Sequence, residues 1–325
     1  MKLPRRKFLH LAAGAATLPA LAHIARAQAY PTRTVRVIVP GAAGNATDII
    51  ARLIGQWLSE RLGQPFIIEN RPGAGTNIGT EAVVRAPPDG HTLLYIAAGN
   101  LISPSLYERL NFNFIRDIAP VASIFRVPNM LVVSQSFPAK TVPDFIAYAK
   151  ANPGRINFAS PGIGTSNHLS GELFKMMAGV NLIHVPYRGT GPALTDLIGG
   201  QVQAIFDNLT TSIEYVRDGK LRALAVTTAE RSGLLPDIPT MADFLPGYEA
   251  SAVNGIGAPR NTPFEIVDKL NREINAALAE PKIKARLADL GCNALAMSPA
   301  DYGKLNAAEI EKWAKVVKFS GAKPD

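Results

Sequence analysis

The chain is poor in the residues that usually carry chemistry. It has one cysteine, Cys292, so it can form no internal disulfide, and that residue reads as a small packed side chain. Histidine is almost as scarce. Beyond residue 27 there are only His91, His168 and His184, at spacings that match no zinc motif. There is no G-x-x-x-x-G-K-[ST] and no G-x-S-x-G. "GAGTNIG" (74–79 with Gly73) is G-x-G-x-x-x-G, not the dinucleotide fingerprint, and lacks its downstream acid. Aromatics make up 7% of the residues and form no stripe with basic ones, which argues against a nucleic-acid surface. No apolar run after residue 27 is long and charge-free enough to span a bilayer. These absences leave no metal, cofactor or nucleophile to expect.

Net charge is also small once the first residues are set apart. The 325-residue chain has 34 basic and 26 acidic residues, net +8. Five of the basic residues, Lys2, Arg5, Arg6, Lys7 and Arg26, lie in residues 1–27, which hold no acid; the rest of the chain is net +3. Residues 1–27 read as an export signal. Paired Arg5-Arg6 opens a twin-arginine-like "RRKFL", a weakly apolar stretch follows, and Ala25-Arg26-Ala27 is a small-x-small cleavage site. Pro4 and His10 depart from the usual flanks, so general secretory export stays open. The expected address is the periplasm, with cleavage after Ala27.

What the chain has is alternation. "VRVIVP", "FIIEN" and "TLLYIAA" read as strands. Between them lie helical patterns, the first placing Ile49, Ile50, Leu53, Ile54, Trp57 and Leu58 on one face. The pattern restarts after residue 140. There "INFA", "NLIHVPY", "QAIFDN" and "LRALAVTT" are separated by helices at 166–178, 190–199 and 210–218. Two extended apolar stretches, 121–135 and 248–259, connect the units, and the terminal helices return to the first. The expected fold is α/β: two doubly wound domains joined by a two-strand hinge. Domain 1 comprises residues 28–128 plus 249–325, and domain 2 residues 129–248.

Four glycine-rich turns stand at strand ends: "PGAAGNATD" (40–48), "NRPGAGTN" (70–77), "SPGIGTSNH" (160–168) and "PYRGTGPA" (186–193). Ligands of open parallel sheets bind there. Glycine lets the backbone approach closely, and the N–H groups of the following helix face an anion. Bland roles compete. Asp48 also suits a helix cap, His168 a helix face, Arg71 and Arg188 surface pairs, and Asp207 a structural strand end. Ser160 with His168 is the one conceivable nucleophile pair, without sequence context to support it.

Together these segments resemble a known family. "RVIVP", "ATDIIARLI", "IENRPGAG", "RAPPDGHTLL", "LNFNFIRDIAPVA", "FASPGIGTSNHLSGELFK", "HVPYRG", "PALTDLIGGQV", "GKLRALAVTT", "LPDIPT" and "GIGAP" are similar to the substrate-binding proteins of tripartite tricarboxylate transporters, the Bug or TctC-like family. The resemblance implies a periplasmic, Venus-flytrap receptor without cofactor or enzymatic activity. Such a protein would act as a monomer that captures a small organic carboxylate and delivers it to membrane permease subunits. A ligand-presenting accessory to a membrane kinase, or a secreted hydrolase in the same shell, are the alternatives. Carried over by motif, the ligand contacts are Ala43, Gly44 and Asn45 in the first loop and Ser160, Gly164 and Thr165 in the second domain, with Asn77, Tyr187 and Asp207 along the cleft. The chain departs from the family in places. Gly41-Ala42-Ala43-Gly44-Asn45 stands where Phe-Pro-x-Gly-Gly is common, Thr76 replaces a common glycine, and Val253-Asn254 stand where an aromatic often precedes "GIGAP".

Overall fold

The computed structural model describes residues 30–324 apart from Ala42 and Asn45. The expected export segment, and the first-loop contact assigned to Asn45, therefore lie outside the described residues.

The chain begins as the periodicity predicts. Strands β1 (Val35–Val39), β2 (Phe66–Asn70) and β3 (Thr92–Ile96) run parallel, with β1 in the middle. Helices α1 (Ala46–Leu62) and α2 (Asn77–Val84) connect them. In α1, Ile50, Ile54 and Leu58 recur every fourth residue and are at most 2% exposed, which is the stripe that holds the helix to the sheet. Ile49, one residue and about 100° away, falls off that stripe and is 37% exposed. Helix α3 (Ala98–Leu106) was not expected, because Gly99 and Pro104 weaken its helical pattern. Its apolar residues Leu101, Ile102 and Leu106 are nevertheless buried in the core. A single turn, α4 (Phe114–Asp117), leads into β4 (Ile118–Ser134), a strand of 17 residues.

The second unit follows in chain order: α5 (Val142–Ala151), β5 (Asn157–Ser160), α6 (Ser166–Ala178), β6 (Ile183–Pro186), α7 (Thr190–Ile198), β7 (Ala204–Asn208), α8 (Leu209–Arg217) and β8 (Leu221–Val226). The chain then returns through β9 (Ser251–Pro259) to α9 (Phe264–Ala279), α10 (Pro281–Asp289), the short β10 (Asn293–Ala294) and α11 (Pro299–Ser320).

One continuous sheet joins the two units, and β4 is the reason. Its first part, from Ile118 to Pro128, pairs antiparallel with β9, which in turn pairs antiparallel with β3. From Asn129 onward the same strand pairs antiparallel with β7 and β8 instead. Beyond β7 the strands β5 and β6 are parallel. The sheets are thus parallel at their outer parts and mixed where the two extended connectors insert. A strand that leaves one sheet and enters another must bend between them, and Pro128 stands at the change of partner. Asn129 ties the crossing down: its Nδ2 donates to Ser170 Oγ (2.8 Å) and its N–H to Thr227 Oγ1 (2.8 Å).

The packing partners of the terminal helices differ. Val267, Leu270, Ile274 and Ala277 of α9 share a core with β1 and α1, and Trp57 Nε1 donates to Glu273 O (3.0 Å). Helix α11 packs against both α3 of the first unit and α6 of the second, with Tyr302, Trp313 and Val316 in a core that also contains Phe145, Phe158 and Phe174. No helix among the described residues is long and apolar enough to cross a membrane.

Candidate functional site

A cavity of about 340 Å³ lies where the two units face each other over the β4–β9 ribbon. That is near the lower end of small-molecule sites. Its floor is one face of the ribbon. Phe125 pairs with Asn254 and Val127 with Ala252, and alternate residues of a strand share a face, so all four line the cavity together. The walls come from helix starts. The first unit supplies Thr47 of α1, Gly75 and Thr76 just before α2, and Ala97, Ala98 and Gly99 at the beginning of α3. The second supplies Ile163 to Asn167 around the start of α6, with Asn208 and Thr210 at the start of α8.

Five helices therefore begin at this cavity. Their first N–H groups have no carbonyl partner within the helix and carry the positive end of its dipole. The residues preceding α2, α3 and α8 (Thr76, Ala97 and Asn208) make no side-chain cap hydrogen bond, whereas Thr165 before α6 accepts from His168 N–H (3.3 Å). Among the described residues none that lines the cavity is an Asp, Glu, Lys, Arg or His. The groups a solute meets first are therefore oriented backbone dipoles and neutral polar side chains.

The turns adopt the geometry this requires. Gly73, Ala74, Gly75 and Thr76 all have positive φ. Gly75 (φ 59°) does so without steric cost, and a Cβ there would approach the Tyr107 ring at 2.9 Å. Thr76, at φ 84°, occupies a region that β-branched residues avoid. Across the cavity Gly164 (φ 75°) lies so close to Leu106 of the first unit that a Cβ would stand 2.5 Å from Leu106 Cδ2.

The residues singled out from sequence fall in three places. Gly164 and Thr165 line the cavity. Ala43, Gly44, Asn77, Ser160, Tyr187 and Asp207 do not, although Asp207 is bonded to Asn167, which does. Gly44 N–H donates to Asp48 Oδ2 (2.9 Å). Asp48 is also gripped by Arg52 through Nε and Nη2, both at 3.0 Å, and these bonds hold its carboxyl below the usual range. Asn77 is the first residue of α2, next to Thr76. Tyr187 donates to Asp196 Oδ2 (2.7 Å), and burial with that carboxylate pushes its phenol up to about 12.

Asp207 lies fully buried beneath the cavity wall. Its carboxylate accepts from Asn167 Nδ2 (2.9 Å), Thr211 Oγ1 (2.5 Å) and Ser212 Oγ, so it ties the start of α6 to the start of α8. Burial outweighs these bonds and pushes its carboxyl up to about 6. Ser160 is likewise fully buried. Its Oγ pairs with His184 Nε2 (2.7 Å), not with His168, and donates to Gly162 O (3.0 Å). The rings of His168 and His184 stack with centroids 3.8 Å apart, and Gly164 N–H donates to His168 Nδ1 (3.2 Å). Desolvation, aided by Lys175, holds the two imidazoles neutral, at about 3 and about 4 respectively. These groups brace the 160–165 loop from behind. A serine sealed away from the cavity cannot reach a substrate in it.

Sequence reasoning overlooked the starts of α3 and α8 and the ribbon floor as cavity walls. The alternation of apolar residues in 121–135 and 248–259 was the available signal for the floor. The start of α3 carried none, being hidden by Gly99 and Pro104.

A cleft between two α/β units, crossed by two strands and walled by helix starts, defines a solute-binding protein of the periplasmic-binding-protein type. The comparisons narrow this further. The profile of the TctC family, "Tripartite tricarboxylate transporter family receptor", matches residues 50–321, and the chain belongs to that family. It is 37% identical over 300 residues to Protein BugT of Bordetella pertussis, covering 91% of this chain and 92% of that one. Among solved structures it is similar to R. palustris Rpa4515 with adipate (40% identity, TM-score 0.79, 91% of this chain and 100% of the other). It is also similar to MatC from Rhodopseudomonas palustris with bound malate (36% identity, TM-score 0.75, 89% and 100%). The protein is a solute-binding receptor of the TctC and Bug type, not an enzyme.

Proposed function

We propose that this receptor captures a small organic carboxylate in the periplasm and delivers it to the membrane subunits of a tripartite tricarboxylate transporter. The observation that carries the ligand class is the cavity itself: five helices begin at a space lined, among the described residues, by no ionised side chain. Such a field favours an anion, and uncapped N–H groups supply the donors that a carboxylate needs. A cation would meet a repulsive field there. The adipate and malate of the two solved relatives support the same class. Residues 1–27 are the export signal in this reading, cleaved after Ala27, and the mature protein works as a monomer.

Residues 28–128 with 249–325, and residues 129–248, act as the two closing domains, with the change of partner at Pro128 and the start of β9 as the hinge. Helix α11 packs on both. The test is a calorimetric and thermal-shift screen of mono- and dicarboxylates against sugars and amines, followed by solution scattering with the best ligand. Carboxylates should raise the melting temperature, with about 2.7 kcal/mol of stabilisation at a hundredfold excess over Kd. The bound form should have a smaller radius of gyration. Stabilisation by sugars or amines alone refutes the ligand class, and an unchanged scattering profile at saturation refutes the closure.

A further inference from the structure

The cavity floor holds one residue that does not fit an apolar ribbon. Along the same face of β9 the neighbours are Ala252, Ile256 and Ala258, and opposite them stand Phe125 and Val127. Asn254 interrupts this face and is 2% exposed. Its Nδ2 donates to Ala252 O (3.0 Å). That bond sets the orientation of the amide, because the reverse placement would press Oδ1 against another acceptor. The Oδ1 is buried and has no hydrogen-bond partner among the described residues. A buried carbonyl without a donor is a destabilising arrangement, and an apolar side chain of similar volume would avoid it.

We infer that Asn254 reads a hydroxyl group on the ligand, so that this receptor selects hydroxycarboxylates over the corresponding plain acids. The inference rests on the carboxylate reading above and adds the second functional group. An ionised carboxylate offers only acceptors and cannot satisfy Oδ1. The donor must be another group on the same molecule. An ammonium is disfavoured by the surroundings. Among the described residues no carboxylate lines the cavity, Asp207 is already engaged by Asn167, Thr211 and Ser212, and five helix N-termini repel positive charge. A neutral hydroxyl donates to Oδ1 and suffers no such repulsion. The carboxylate then lies against the helix starts of the walls, and the hydroxyl points to the ribbon floor.

The experiment measures calorimetric affinities of the purified protein for matched acids: malate against succinate, 2-hydroxyglutarate against glutarate, and 3-hydroxybutyrate against butyrate, with aspartate as the amine analogue of malate. At least one hydroxy acid should bind about tenfold tighter than its plain partner, the worth of one hydrogen bond to an otherwise unpaired buried acceptor. In Asn254→Leu, which keeps the heavy-atom count and the branching at Cγ and removes the acceptor, that advantage should vanish while the melting temperature without ligand does not fall. Equal affinity for both members of every pair in the wild-type protein overturns the inference and leaves the carboxylate reading standing, and this arm needs no variant. A hydroxyl preference that persists in Asn254→Leu overturns the assignment to Asn254. Tighter binding of aspartate than of malate overturns the choice of hydroxyl over ammonium. If no acid binds, the carboxylate reading fails and this inference fails with it.

Discussion

Replacing Asp207 by Asn tests the electrostatics beneath the cavity wall. Asp207 is fully buried, and desolvation raises its carboxyl from 3.8 to about 6 despite bonds from Asn167, Thr211 and Ser212. The sign follows from linkage. Between the two values the folded chain holds a proton that the unfolded chain has released. The group therefore adds stability as pH falls through about 6 toward 4, and that contribution is absent at neutral pH. At 1.36 kcal/mol per unit of difference, the wild-type protein should gain ~2 kcal/mol relative to Asp207→Asn on going from about pH 7 to about pH 4.5. Asparagine keeps a carbonyl for Thr211 and Ser212 but cannot titrate, so any constant offset from Asn167 drops out of the pH dependence. Contributions common to both proteins, including the two neutral histidines, cancel to the extent that distant sites are additive. The assay is urea unfolding of both proteins, ligand-free, across that range. A difference between them that stays flat to within about 0.5 kcal/mol would refute the reasoning, because it would mean that Asp207 titrates alike in both states.

Two further substitutions probe the frame of the site. Thr76→Gly should raise unfolding stability by up to about 1 kcal/mol, since glycine takes φ 84° without the clash that threonine suffers there; a loss of stability in urea melts would show that the side chain, not the strain, dominates. His184 is held neutral by burial, with its imidazole lowered to about 4, so the unfolded chain binds the extra proton below about 6.5 and stability falls as pH drops toward 4. His184→Gln should flatten that acid limb by up to about 1.4 kcal/mol per pH unit, and an unchanged limb would place the acid lability elsewhere.

The sequence by itself determined the elements whose cause is local. Strand and helix periodicity located β1, β2, α1 and α6 to within a residue or two, because an amphipathic stripe or a buried apolar run is written in consecutive residues. The extended character of 121–135 and 248–259 was legible in the same way, as was the pairing of glycine turns with helix starts. What consecutive residues cannot carry is which distant groups meet. Only the tertiary structure decided that β4 would serve two sheets, since its partners β9 and β7, distant in sequence, take successive segments of the strand on either side of the Pro128–Asn129 junction. Only it brought the hidden start of α3 beside those of α6 and α8. Ser160 turned to His184 and away from the nearer-in-sequence His168, because β5 and β6 are paired in the sheet. Asp207, legible as a polar residue at a strand end, lies beneath the cavity wall as a brace, and Tyr187 is tied to Asp196. Asn254, legible only as a departure from a family pattern, became a buried acceptor on the floor once β4 and β9 were laid side by side. A side chain's type follows from the genetic text, but its desolvation and its partners depend on the sum of long-range contacts, and those set the chemistry of this cleft.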